Sequence, residues 1–146
     1  MKILLICALI CFLFFAYIRF SKVDKNIWHL DPDIITLKNE SNSFLLQSDI
    51  REAETFNIDV NFLFNTLIII NDNCEKIFGN INQGLVTYVC RSKVFGFPDY
   101  VSISFKTVDV KRSSISIFSR SRFGRYDFGK NKQRVQKWLT ELKMVL

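Results

Sequence analysis

The chain is poor in the residues that carry metal and disulfide chemistry. Its 146 residues include one histidine, His29, and four cysteines, of which Cys7 and Cys11 lie in an apolar N-terminal run. A zinc site needs several His or Cys ligands at recognised spacing, and the two remaining cysteines, Cys74 and Cys90, form neither a CxxC motif nor a disulfide framework. We therefore predict no metal site and no cofactor.

Signatures of nucleophilic catalysis and of nucleic-acid recognition are also missing. Ser119 and Ser121 stand outside any Gly-x-Ser-x-Gly context, and His29 is distant from both in sequence. A Ser-His-Asp arrangement therefore has little support. The usual nucleic-acid recognition motifs are absent. The sequence leans away from an enzyme and predicts no nucleic-acid partner.

What the chain does have is an uncharged run from Ile3 to Ile18. As a helix rising about 1.5 Å per residue, and extended by its aromatic flank, it approaches a hydrocarbon core of about 30 Å. Bulky residues occupy Phe15 to Phe20, where a signal peptidase needs small ones. We predict a retained transmembrane anchor over residues 1–20, with a signal sequence as the alternative.

The orientation of this anchor stays open. Lys2 precedes it, and Arg19, Lys22 and Lys25 follow it, so a simple positive-inside count keeps the rest of the chain in the cytoplasm. Exported domains behind short N-terminal anchors often break that count. The sequence predicts a single-pass membrane protein without predicting its sidedness.

Residues 21–146 are enough for one domain with its own core. We predict a linker over residues 21–40, ordered from Trp28 where Trp28 and His29 dock on the domain, and an α+β domain over residues 41–146. The charge is lopsided: residues 21–110 hold eight Lys and Arg against twelve Asp and Glu, whereas residues 111–146 hold ten against two. A basic side of this kind faces solvent, phosphate, lipid headgroups or an acidic partner.

Periodicity predicts an antiparallel sheet of three to four strands packed against helices. Val101, Ile103 and Phe105 alternate with polar residues, and Ile115 and Ile117 repeat the pattern. The serines between them are expected to face solvent, which leaves one face of the sheet open.

Two helices and a short strand complete the predicted fold. We expect a strand at Phe44–Leu46 and a helix over residues 60–71 capped by Asp59, although Ile68–Ile70 would also suit a strand. The surest element is a C-terminal amphipathic helix, whose apolar stripe consists of Val135, Trp138, Leu139, Leu142 and Leu146.

The two cysteines of the domain flank a predicted hairpin over residues 74–79 and 85–92. A turn centred on Asn82 would set Cys74 opposite Cys90, whereas a left-handed Gly84 would shift that register. The sequence leaves their pairing open.

The best candidate binding site is the block from Arg120 to Asn131, which combines cations, glycines and aromatics immediately before the last helix. Arginine forks, free backbone at glycine and a helix N-terminus are features that anions seek. Asp127 could instead pair with Arg120 or Arg122 and pin the loop. The turn at Phe95–Asp99 either lines a pocket beside Arg91 or caps the core. The predicted binding residues are Arg91, Asp99, Arg120, Arg122, Arg125, Tyr126, Asp127, Asn131 and Arg134.

Three blocks resemble one bacterial family, catalogued as domain of unknown function 1499. They are Trp28-His-x-Asp-Pro32, Arg91-Ser-x-x-x-Gly-Phe-Pro-Asp-Tyr-Val-Ser102 and Ser119-Arg-Ser-Arg-x-Gly-x-Tyr-Asp-x-Gly-x-Asn131-x-x-Arg-Val135. Their order agrees with the family, and the resemblance covers about residues 27–143. It implies a bacterial inner-membrane protein and assigns no catalytic role to any residue.

Two classes of function remain. The first is a non-enzymatic, membrane-anchored module that binds an anionic lipid headgroup or an acidic protein through the basic block. The second is a hydrolase-like enzyme whose site is formed by the Arg- and Asp-rich motifs. A pocket that gathers Arg91, Asp99, Arg120, Arg122 and Asp127 would favour the enzyme, and a flat basic face would favour the binding module. The oligomeric state is not readable.

Overall fold

A long apolar helix precedes an α+β unit. The computed structural model describes residues 1–36, 40–48, 54–71 and 73–146, so residues 37–39 of the predicted linker lie outside the described residues. In chain order the elements are α1 (Lys2–Phe20), α2 (Lys25–Trp28), β1 (Ser43–Leu46), β2 (Glu54–Phe56), α3 (Val60–Ile70), β3 (Cys74–Asn80), β4 (Leu85–Arg91), β5 (Pro98–Asp109), β6 (Arg112–Ser121) and α4 (Lys130–Val145). Short 3₁₀ turns occur at Pro32–Ile34 and Ile81–Gln83.

Helix α1 is long and apolar enough to cross a membrane, with a mean hydropathy of 2.6 over its most apolar window. Only 6% of that window is buried within the protein, and Ile18 is its one buried residue. A helix at the core of a soluble domain would be mostly covered, so α1 is not a core helix. Its length and composition also fit a signal sequence.

Within the described residues the sheet is antiparallel throughout and has six strands, more than the three to four predicted. Its main path is β1-β6-β5-β4-β3, and β2 pairs with β6 beside β1. Strand β2 was missed because three residues, Glu54–Phe56, are too few to show a period of two. The predicted α+β class is confirmed.

The apolar face of the sheet carries the core. Helices α3 and α4 cover it, and Asp59 caps α3 by accepting hydrogen bonds from the backbone N–H groups of Asn61 and Phe62. This settles Ile68–Ile70 as helix. In α4 the stripe from Val135 to Leu142 is buried as predicted, but Leu146 is 42% exposed because it lies beyond the end of the helix.

The opposite face is polar and buried, so the prediction of an open, solvent-facing row of serines is wrong. Ser102, Ser104, Ser114 and Ser116 are at most 5% exposed. The segment that contains α2 and the Pro32–Ile34 turn lies across them. Ser102 Oγ donates to the carbonyl of Trp28 at 3.0 Å, and Ser116 Oγ donates to Asp33 Oδ1.

The docking of Trp28 and His29 on the domain is confirmed. The Trp28 and Tyr100 ring centroids are 4.2 Å apart, and His29 Nδ1 lies 2.8 Å from Thr87 Oγ1. Gly79 is required beneath this contact: its φ is 76°, and an added Cβ would lie 2.8 Å from the His29 ring and 2.0 Å from the carbonyl oxygen of Leu85.

Cys74 and Cys90 form a disulfide between β3 and β4, with Cα atoms 4.3 Å apart. Gly84 is left-handed at φ 65°, which shifts the hairpin register by one residue near the turn. A bulge between Lys76 and Phe78 then shifts it back and places Cys74 opposite Cys90. The bulge is what makes the pairing possible, and its position is not marked in the sequence.

Candidate binding pocket

A pocket of about 910 Å³ opens where two loops meet the end of α1. We call residues 92–97 the β4–β5 loop and residues 122–129 the β6–α4 loop. Both leave the same end of the sheet, because Arg91 pairs with Pro98 and Asp99 pairs with Ser121. The lining residues are Phe14, Arg91, Ser92, Lys93, Val94, Phe95, Phe97, Asp99, Ser121, Phe123, Gly124, Tyr126, Asp127, Phe128, Lys130 and Arg134.

A polar network centred on Arg134 forms one wall of this pocket. The Arg134 guanidinium lies 2.6 Å from Asp99 Oδ2, and it donates to Ser119 Oγ at 3.1 Å and to Asn131 Oδ1 at 2.8 Å. Ser119 and Asn131 are fully buried. Asn131 Nδ2 donates to the carbonyl of Asn42, which ties the start of α4 to the segment before β1. This network fixes α4 against the sheet and holds Arg134 in place.

Asp127 caps α4 and does not pair with Arg120 or Arg122, so the proposed pairing of the loop is wrong. Its carboxylate accepts from the backbone N–H groups of Gly129 at 2.9 Å and Asn131 at 2.8 Å. A negative charge at a helix N-terminus is stabilising. It offsets the cations that crowd the first turns of α4.

The pocket carries a net positive charge. Four cations and two carboxylates line it, a net charge of +2. Asp99 is engaged by Arg134, and Asp127 by backbone N–H groups, so the carboxylates are already satisfied. Arg91 donates one bond of 3.3 Å to the carbonyl of Gly96. Its remaining donors, together with Lys93 and Lys130, are the positive charge that a bound anion would meet.

The other wall is aromatic. Phe97 packs edge-on against Phe95 and Phe123, with ring centroids 6.1 and 6.2 Å apart. Phe95 also stacks on Phe15 of α1 at 5.3 Å. Gly96 between them has φ 68°, which permits the turn. The β4–β5 loop therefore lines a pocket beside Arg91, the first of the two interpretations of this turn, and does not cap the core.

Arg120, on β6, and Arg122, directly after it, project away from the pocket because they alternate with Ser121, which lines it. Arg120 lies between the rings of Trp28 and Phe118, at 4.7 and 4.6 Å from their centroids, and donates to the carbonyl of Ile27. Burial lowers the pKa of Arg120 to about 10, against the opposing charge of Glu40. Arg122 donates to the Tyr100 hydroxyl at 3.2 Å. Both arginines hold the second face of the sheet together.

The predicted binding residues therefore separate into groups. Those in the pocket lining are Arg91, Asp99, Tyr126, Asp127 and Arg134. Asn131 is buried behind the wall, and Arg125 is exposed on the β6–α4 loop. Lys93 and Phe128 also line the pocket but were not among the predicted binding residues, because no motif singles them out. The signal available for Phe128 was the density of aromatic residues between two glycines.

The residues that could act in catalysis are occupied elsewhere. Ser92 Oγ accepts from the Phe97 N–H, and Ser121 Oγ accepts from Asn131. His29 lies on the opposite face of the sheet with Thr87. Burial is the main cause that lowers the pKa of His29, and the charge of Lys25 adds to it. Among the described residues no group of three or more His, Cys, Asp or Glu side chains is placed to hold a metal ion.

A family model described as a protein of unknown function, DUF1499, matches residues 51–142. The chain belongs to the DUF1499 family. The DUF1499 match contains the blocks Arg91–Ser102 and Ser119–Val135, whose residues form the pocket, and it leaves Trp28–Pro32 outside. No curated protein matches the chain significantly.

Proposed function

We propose that this protein is a membrane-anchored binding module whose pocket takes an anionic amphiphile. The observation that carries the proposal is the division of one pocket into a cationic wall and an aromatic wall. Arg91, Lys93 and Lys130 suit a phosphate or carboxylate. Phe95, Phe97 and Phe123 suit an apolar chain. The β6–α4 loop and the start of α4 thus act together, as the basic block suggested, and the β4–β5 loop contributes further residues.

Binding is favoured over hydrolysis by the state of the polar groups. Asp99 and Asp127 are held by Arg134 and by the start of α4. A general base needs a free carboxylate or imidazole within hydrogen-bond reach of a nucleophile. The concave shape alone would suit an enzyme, but the lining serines accept hydrogen bonds from structural donors.

A titration of the full chain in detergent tests the pocket. Native mass spectrometry would compare dioleoyl phosphatidate with dioleoyl phosphatidylcholine, which differ mainly in headgroup charge. The double variant Arg91→Gln/Lys130→Gln should bind the phosphatidate about tenfold or more weakly, equivalent to about 1.4 kcal/mol. The matched control is Lys76→Gln/Lys111→Gln, which removes two exposed lysines distant from the pocket. Equal affinity in the two double variants would refute the proposed site.

We propose that α1 is retained as a single-pass anchor, in a bacterial inner membrane, and that the domain lies on its oxidising side. The support for retention is the lack of a small-residue cleavage site after α1. The Cys74–Cys90 disulfide supports the sidedness, because disulfides persist in oxidising compartments. We give the disulfide more weight than the basic residues that follow α1, because the positive-inside count is unreliable for short anchors.

To test both points, cells are denatured directly in an alkylating reagent and the mass of the purified protein is measured. Without reductant only Cys7 and Cys11 should be alkylated, and with reductant all four cysteines should be. Modification of all four without reductant would place the domain in a reducing compartment. A mature N-terminus beyond Phe20 would show that α1 is removed.

A further inference from the structure

Helix α1 is barely long enough to cross a bilayer. Its 19 residues span about 28 Å at about 1.5 Å per residue, against a hydrocarbon core of about 30 Å. An anchor of this length has no residues to spare. When α1 crosses a bilayer, its C-terminal turns lie within the apolar layer and Phe20 lies near its boundary.

The domain contacts α1 on the membrane side of that boundary. Phe95 of the β4–β5 loop stacks on Phe15 with ring centroids 5.3 Å apart. Phe123 of the β6–α4 loop lies 6.3 Å from the ring of Tyr17. Phe15 stands five residues before the end of α1, a rise of about 7.5 Å. Both loops therefore reach the depth of the last turns of the anchor.

The side chains at the tips of these loops are the kinds that membrane interfaces accept. Val94 is 81% exposed, Phe95 55%, Tyr126 67% and Phe128 86%. These four large apolar or aromatic side chains all line the same pocket, and together they form an exposed patch of the kind that marks an interaction surface. The ring of Phe128 is exposed, and its backbone is left-handed at φ 55°, a conformation that is uncommon for a bulky residue.

Cations surround this patch and identify its partner. Lys93, Arg125 and Lys130 are exposed on or beside the two loops, and Arg19 is at the end of α1. Aromatic residues at headgroup level with Lys and Arg beside them are typical of protein surfaces in contact with anionic lipid. The patch is also continuous with α1 itself, so the surface that covers it is the bilayer.

We propose that the β4–β5 and β6–α4 loops insert into the bilayer beside α1, so that the pocket between them opens to lipid and fills sideways from the membrane. Insertion rests on the geometry of α1 and the loops. Lateral filling rests in addition on the function proposed above. The ligand class is thereby narrowed to an anionic lipid of the same bilayer.

Tryptophan substitutions in the full chain, reconstituted in nanodiscs of phosphatidylcholine and phosphatidylglycerol, test insertion. Val94→Trp and Phe128→Trp should lose about half of their added emission when all lipids carry brominated acyl chains, because both positions would lie at or below the headgroups. The matched control is Val110→Trp, which is equally exposed at 90% in the turn at the far end of β5. Emission of Trp28 and Trp138 is subtracted with the unsubstituted chain.

The outcomes separate the two parts of the proposal. If either loop position is quenched no more than Val110→Trp, insertion is wrong, whatever the pocket binds. For lateral filling, Phe97→Trp in the pocket wall should be quenched more by brominated phosphatidylglycerol than by the same fraction of brominated phosphatidylcholine. Equal quenching with the loops inserted would overturn the anionic lipid as occupant and leave the membrane contact standing.

Discussion

The two faces of the sheet are both buried, but by opposite kinds of chemistry. On one face Val101, Ile103 and Ile117 are covered by α3 and α4 and are fully buried. On the other face a row of serines is covered by a segment that contains one four-residue helix and one 3₁₀ turn. Apolar contact predominates on the first face, whereas the serines of the second face are covered through directed hydrogen bonds.

A period of two therefore identifies the two faces of a strand without stating which of them is exposed. Polar side chains on a strand usually face water. Here the covering segment brings its own hydrogen-bonding groups: Asp33 accepts from Ser116 Oγ, and Gln47 Nε2 donates to the carbonyls of Pro32 and Ile35 at 2.9 Å each. Buried polar groups are tolerated when they are paired in this way.

The largest effect should come from the apolar face. Trp138 is 4% exposed within the core, so Trp138→Ala should lower the free energy of unfolding by about 3–5 kcal/mol. Urea unfolding of the full chain in mild detergent measures it. Gln136→Ala, on the exposed side of the same helix, is the control and should stay within about 0.5 kcal/mol. A loss below about 1 kcal/mol at Trp138 would mean that this face is not the main source of stability.

The polar face should respond less, through Asp33. Its side chain is 8% exposed, with Oδ2 2.9 Å from Lys106 Nζ. Asp33→Ala leaves the buried Ser116 hydroxyl without this acceptor and should cost about 1–3 kcal/mol. Glu75→Ala, an exposed carboxylate on the edge strand β3, is the matched control. Equal losses of stability in Asp33→Ala and Glu75→Ala would show that Asp33 does not hold the covering segment to the sheet.

Acid should reproduce this loss in the unsubstituted protein. Burial by itself would raise the pKa of Asp33, but hydrogen bonds from Ser116, Lys106 and Ser104 and the charge of Lys106 outweigh it and hold that pKa below its usual 3.8. The folded state therefore binds this proton less readily than the unfolded state. The contribution of Asp33 is present above pH 3.8 and is lost as the pH falls through the lower folded pKa.

How far the sequence could predict the fold follows from the length of each pattern. The β5–β6 hairpin, the capped α3 and the stripe of α4 are long enough for their periods to be read. The sequence could not predict the bulge that pairs Cys74 with Cys90, because a single extra residue has no periodic signature. Nor could it predict the cover over the serines, since the contacts between residues 28–33 and the sheet are entirely non-local.

Part of the pocket could be predicted from the sequence and part could not, for a similar reason. Side chains alternate between the two faces of β6, so Arg120 and Arg122, on either side of Ser121, point to the face opposite the helices. The same alternation that predicted the strand therefore also predicted that these two arginines lie outside the pocket, although the basic block was interpreted as a single loop. Phe14 and Phe95 line the pocket together only because α1 lies against the β4–β5 loop, and the sequence does not show where α1 meets the domain.

A smaller loss should follow from Arg120, which joins the segment that covers the polar face to strand β6. Arg120 lies against Trp28 and Phe118, and a cation over aromatic rings contributes about 0.5–2 kcal/mol depending on desolvation. Arg120→Leu should lower stability by about 1–2 kcal/mol, because the leucine keeps part of the apolar contact. Arg125→Leu, an exposed arginine on the following loop, serves as the control for removal of charge alone. A larger loss at Arg125 than at Arg120 would reverse the roles assigned to them.

The smallest effect should appear in the pH dependence of the polar cover, through His29. Burial lowers its pKa from 6.5, and the charge of Lys25 lowers it further. Because the folded state resists protonation, the contribution of His29 is complete above pH 6.5 and is lost as the pH falls through the folded pKa. His29 is the one histidine, so His29→Gln isolates the effect while keeping a hydrogen-bonding group near Thr87.

Unfolding free energies measured from pH 7.5 to pH 5 should decline in the unsubstituted protein and stay nearly flat in His29→Gln. Lys25→Gln should give an intermediate decline, because it removes the repulsion and leaves the burial. Parallel curves for the unsubstituted protein and His29→Gln would show that the His29 contact with Thr87 persists after protonation. In that case the polar cover would depend on Asp33 and the serines alone, and would be insensitive to mild acid.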